Sequence, residues 1–233
     1  MRTILENTDR KSLALIAGLT VAALILWDTP LIYPLKILVV FFHELSHGLA
    51  AILSGGEIVR IEVIAQEGGL CVTRGGNRFV TLSAGYLGSL LWGGAILLIA
   101  ARTHLDRWAS AVLGLGLIGI SVVYVRPLLS FGFLFGLAAG GGLLATGRFL
   151  SERKNDLLLR LIGLTSCLYA VADIKSDVLE RSYLRSDAAM LSELTGVPTL
   201  IWGVLWLLVA VVGAAWFLLR STALPATDGE GPD

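Results

Sequence analysis

Phe41-Phe42-His43-Glu44-Leu45-Ser46-His47-Gly48-Leu49-Ala50-Ala51 sets an HExxH pattern inside an apolar run. On a helix, positions i and i+4 share a face, so His43 and His47 can offer imidazole nitrogens to one ion. Glu44, one residue further round, is placed to act on water as a general base. The run begins after Pro30 and Pro34 and continues to Leu53, long enough to cross a bilayer, before Ser54-Gly55-Gly56 stops it. Ionisable side chains at the centre of a span cost about 3 kcal/mol each on insertion scales, so a cluster of them there signals a function. The bland alternative is a helix end whose polar residues reach interfacial water. A catalytic zinc usually takes three protein ligands and leaves a fourth position open, so a third ligand must come from elsewhere.

The rest of the chain has the same apolar character. Of 233 residues 55% are hydrophobic and 15% charged, with a mean hydropathy of +0.79, against about 25% charged in soluble domains. The composition implies an all-α integral membrane protein of about six or seven transmembrane helices. A single polytopic domain over residues 1–220 leaves a tail at 221–233 whose composition predicts disorder. Zero net charge argues against nucleic acid as a partner. Cys71 and Cys167 lie far apart, without the spacing of a disulfide framework or a thiolate zinc site. Arg2, Arg10 and Lys11 before an apolar run resemble a signal peptide, but no small-residue cleavage site follows, so the run reads as a retained span.

Spans are expected at 12–27, from Pro34 to Leu53, and at 79–101, 108–125, 127–147, 156–172 and 199–219. Between the second and third, residues 57–64 approach strand alternation, Gly68-Gly69 reads as a turn and residues 70–73 as a second strand, giving a short β-hairpin after the zinc-motif helix. Lysines and arginines divide almost evenly between the two sides of this map. They favour a cytoplasmic amino terminus only slightly, with Arg148, Arg153, Lys154 and Arg160 on the wrong side. Four spans separate the hairpin from the polar segment 173–198, so both lie on one membrane face. The third ligand is therefore sought among Asp173, Asp177, Glu180, Asp187 and Glu193. Asp187, followed by small and apolar residues, leads; Asp173, directly after a span, is second. The third histidine, His104, falls in a loop. Glycines at 85, 88, 93 and 94, and at 136, 140, 141 and 142, suggest helix faces built for close packing.

These residues resemble the site-2 protease group of intramembrane zinc metalloproteases, in its compact M50B-like branch. Besides the motif, the resemblance rests on Gly55-Gly56 with the hairpin, Ala84-Gly85-Tyr86-Leu87-Gly88, Ser186-Asp187-Ala188-Ala189, Gly196-Val197-Pro198 and Trp202. It implies Zn2+ held by His43, His47 and Asp187, with Glu44 as the catalytic base. It also implies transmembrane protein substrates in the lipid bilayer, with the plasma membrane as the expected location. The family's aspartate typically stands in an Asn-Pro-rich stretch ending Leu-Asp-Gly, which this chain lacks, and 233 residues leave no room for a PDZ domain. Two other readings share the sequence. One is a proteolytically silent scaffold of the same fold that binds membrane proteins, against which the intact Glu44 argues. The other is a transporter using the motif as an ion site, for which no inverted repeat is present.

Overall fold

Ile32 leads into α2 (Tyr33–Leu53), whose first turn holds Pro34, where a missing backbone N–H costs nothing. The helix ends at Ser54, and Gly55 takes the left-handed turn (φ 91°) that redirects the chain. The computed structural model describes residues 8–180 and 186–223. Around α2 stand α1 (Arg10–Ile25), β1 (Gly56–Ile64), β2 (Gly68–Gly75), α3 (Arg78–Arg102), α4 (Asp106–Tyr124), α5 (Phe131–Phe149), α6 (Glu152–Lys175), α7 (Asp187–Thr195) and α8 (Thr199–Ser221). Thirteen residues of α2 are buried, among them Ile37, Val39, Phe41 and Ala51. The motif helix is therefore the axis of the bundle, flanked by α3, α6 and the hairpin.

The protein is a multi-pass integral membrane protein. Among the described residues, five helices are long and apolar enough to cross a membrane: α2, α3, α4, α8, and α6 with the turn after it. α5 matches α4 in length and carries Arg148 in its last turn. α1, at 16 residues, falls short of the roughly 20 that a span needs. Its start meets the end of α8, where the Asp9 N–H donates to the Thr222 carbonyl at 2.8 Å, and its end runs into the start of α2. α3 lies antiparallel to α2 and parallel to α8: Phe42 stacks on Trp92 and Phe79 meets Trp202, while Gly94 backs onto Phe217. The start of α2 and the end of α8 are thus on one face, and so are both ends of α1. This differs from the crossing expected at 12–27 and resolves the charge anomaly. Arg10 and Lys11 share a face with Arg102, Arg107, Arg148, Arg153 and Lys154.

The hairpin is antiparallel, with Ile61 opposite Cys71 and a bulge at Val59. It folds back along α2, as three close approaches record: Gly76 at Ala51, Gly48 at Ile58 and Cys71, and Gly69 at Glu44. The expected turn at Gly68-Gly69 is displaced. The chain turns at residues 65–67, with Glu67 in the left-handed region (φ 59°), and both glycines belong to β2. A Cβ on Gly69 would stand 2.6 Å from Glu44 Cγ, so the glycine serves a close approach and not the turn.

The glycine faces divide similarly. Gly93 and Gly163 cross back to back, each hypothetical Cβ 2.7 Å from the other's carbonyl oxygen, and Gly140 fits against Gly114; Gly141 and Gly142 face open space. Gly93→Val forces α3 from α6, and overpacking of this kind costs about 1–3 kcal/mol. The expected result is a lower Tm in detergent, read by tryptophan fluorescence, with Gly141→Val near wild type. Of the tail expected at 221–233, Ser221 ends α8 and residues 224–233 lie outside the described residues.

Candidate metal centre

Asp187 opens α7, a helix that the sequence reading left inside a polar segment. Ser186 caps it, its Oγ accepting the Ala189 N–H at 3.3 Å, and Gly196 (φ 74°) closes it. The short helix packs on α3 and α8 and aims its first side chain at the motif. Asp187 Oδ2 lies 3.2 Å from Nε2 of both His43 and His47, and the three ligand atoms fall within 4.8 Å of one another. All three side chains are largely buried. Burial pushes the Asp187 carboxyl up, but the facing imidazoles of His47 and His43 outweigh it and hold the group below the usual carboxylate range. That pull is the charge of protonated rings; where the rings are neutral, as metal ligands must be, a bound cation takes its place.

The two imidazoles are oriented from behind. His47 Nδ1 is 2.7 Å from the Thr81 carbonyl oxygen, which can only accept, so the proton sits on Nδ1 and the Nε2 lone pair points at Asp187. Behind His43, Asp173 Oδ2 stands 3.7 Å from Nδ1, and the Tyr86 ring lies edge-on at 5.4 Å. Tyr86 donates its hydroxyl to Asp177 Oδ2 at 2.7 Å. Asp187 and Asp173 therefore flank opposite nitrogens of one ring, and Asp177 is engaged by a tyrosine. Glu193 is exposed, the side chain of Glu180 lies outside the described residues, and His104 is in the α3–α4 loop.

The fourth side of the triad is Gly85 of α3. A Cβ there would lie 2.6 Å from His47 Nε2, 2.7 Å from Asp187 Oδ2 and closer still to His43 Nε2. Two neutral imidazoles and a carboxylate converge on a space that one carbon atom would fill. The donor set and the spacing of the three ligand atoms fit a zinc ion, whose bonds to N and O run about 2.0–2.2 Å.

Glu44 faces the same cavity, of about 860 Å³, lined by the motif, β2, Tyr169, Asp173, Asp177 and Met190. The backbone N–H of Cys71 faces its carboxylate. The Ile61 carbonyl accepts from the Arg126 N–H on the far side of β1, so Ile61 and Cys71 form a non-hydrogen-bonded pair whose polar groups point outward. By alternation, the N–H and C=O of Gly69 do the same. Among the described residues β2 thus presents an unpaired edge to the cavity, a state tolerated at membrane depth only beside water or protein. Burial and the Glu44 charge push the Cys71 thiol up to about 12, so Cys71 stays protonated.

Sequence reasoning overlooked Gly85, Thr81, Tyr86 and the Cys71 N–H as parts of this site. No curated protein and no solved structure matches the chain. A family model described as Peptidase M50B-like matches residues 16–217, a stretch that takes in the motif, the hairpin, Gly85 and Asp187. An HExxH helix at the axis of a membrane bundle, with a match running over nearly the whole chain, makes this protein a member of the Peptidase M50B-like family.

Proposed function

We propose that the chain is an intramembrane zinc metallopeptidase that hydrolyses peptide bonds of transmembrane substrates. His43, His47 and Asp187 hold the metal and Glu44 is the general base. The observation that carries this reading is the convergence of three ligand atoms, from elements 140 residues apart in sequence, on the space that Gly85 leaves open, with Glu44 beside them. When bound, zinc supplies a Lewis acid that polarises the scissile carbonyl and acidifies water. Glu44 takes the proton of the attacking water and passes it to the leaving amine, which frees the product. The Cys71 N–H faces the Glu44 carboxylate from β2.

A substrate helix must unwind first, because its carbonyls are engaged in its own hydrogen bonds. The unpaired edge of β2 offers an unwound strand the backbone groups of Gly69 and the Cys71 carbonyl, the mode of recognition by strand addition.

Metal analysis of the purified protein tests the ligand set. Wild type is expected to carry one zinc per chain, Asp187→Ala to lose it, and Asp173→Ala to retain it with affinity weakened about 10–100-fold, as outer-shell partners do. A wild type without zinc, tested alongside cleavage of a model transmembrane peptide, overturns the reading. Retention of zinc in Asp187→Ala with loss in Asp173→Ala moves the third ligand to Asp173.

A further inference from the structure

Lys36 is a charged residue in the motif helix that the chemistry above does not use. It lies two turns before His43 and is 7% exposed, and a buried charge in a span is normally kept for a purpose. Its Nζ sits 2.9 Å from Glu67 Oε1 and 5.5 Å from the centre of the Trp27 ring, with the exposed Asp28 carboxylate at 4.0 Å. Glu67 is the last residue of the hairpin turn and holds a left-handed backbone (φ 59°), which for a residue with a side chain persists only where its surroundings enforce it.

Two tyrosines tie down the same turn: Tyr33 donates to the Ala65 carbonyl at 2.7 Å and Tyr169 to the Glu67 carbonyl at 3.4 Å. Two residues beyond Glu67, Gly69 passes the Glu44 carboxylate, and two further on the Cys71 N–H faces it. The far end of the hairpin is set by its bonded neighbours next to Ser54. The tip depends on these tethers, and of them the Lys36–Glu67 contact is the ion pair.

We propose that Lys36 is a positioning residue: its ion pair with Glu67 latches the hairpin tip onto α2 and so fixes the β2 edge against the base. That the latch serves cleavage rests on the metallopeptidase reading; that it holds the hairpin does not.

The chain carries its own reporter. Cys71 Sγ packs toward Gly48 of α2, so its alkylation by N-ethylmaleimide reads the gap between hairpin and helix, while Cys167, fully buried between α3 and α6, reads unfolding of the bundle. Lys36→Met and Glu67→Gln are each expected to speed Cys71 alkylation about tenfold or more, as local opening of a once-tethered segment does. Zinc content and the protection of Cys167 stay as in wild type, and Lys36→Arg, which keeps the charge, restores slow alkylation. In the cleavage assay the same two variants raise KM more than they lower kcat. Unchanged Cys71 alkylation in both variants overturns the latch, and so does parallel exposure of Cys167, which would make Lys36 a residue of general stability. A wild type that cleaves nothing overturns the metallopeptidase reading and leaves the alkylation result to decide the latch.

Discussion

Glu44→Gln retains one zinc per chain and loses cleavage of a transmembrane peptide by about 10²–10⁴-fold, the contribution of a positioned general base. The amide is the same size as the carboxylate, so the close approach of Gly69 is preserved. Its oxygen still faces the Cys71 N–H, so the hairpin keeps its place. What the amide cannot do is take a proton. The loss is therefore expected in kcat, with KM little changed, and metal analysis on the same preparation separates it from damage to the site. Full activity in Glu44→Gln would assign the base to another group; loss of zinc would make Glu44 part of the metal's coordination.

The half-site in α2 is legible because its elements are local. His43, Glu44 and His47 span little more than one helical turn, and periodicity alone puts the two imidazoles on one face. Each apolar run becomes a helix for an equally local reason: length and hydropathy suffice to define it. Asp187 is a different kind of inference. Chain parity brings its segment to the correct face, but choosing among the acids of 173–198 needs α7, and α7 was signalled only by its ends. Ser186 is a cap residue and Gly196 a helix stop two residues before Pro198, the usual punctuation of a short helix. A nine-residue helix carries too little apolar periodicity to announce itself.

Two misreadings have a common origin. Gly68-Gly69 looks like a turn and Gly85 like part of a packing face, because in sequence a glycine shows its freedom and not its neighbours. In the fold, Gly69 makes room for the base and Gly85 for the ligand atoms, and both needs are set by residues distant in the chain. Lys36 is the opposite case, since a single lysine in an apolar span is visible without any structure. The charge map failed for want of one fact about α1. A 16-residue helix is about 24 Å long, shorter than the ~30 Å hydrocarbon core, and once its two ends are on one face the basic residues fall together.

Gly85→Ala is expected to cost the protein its zinc and, with it, its cleavage activity, although by helix propensity it should stabilise α3 by about 1 kcal/mol. The added methyl would lie 2.6 Å from His47 Nε2 and 2.7 Å from Asp187 Oδ2, where an ion bound at about 2.0–2.2 Å from each donor would sit. Methyl and metal compete for one point. Relief would require α3 to move away from α2, but α3 is held in place by the Gly93–Gly163 crossing with α6 and by the fit of Gly88 against Ser46, and a packed interior transmits such a shift. The measurement is zinc per chain by mass spectrometry together with the Tm of the metal-free protein. A stoichiometry below about a tenth of wild type, with a Tm at or near that of metal-free wild type, is the expected pair. Wild-type zinc content in Gly85→Ala would place the ion outside the space between His43, His47 and Asp187, and the ligand set would have to be drawn again.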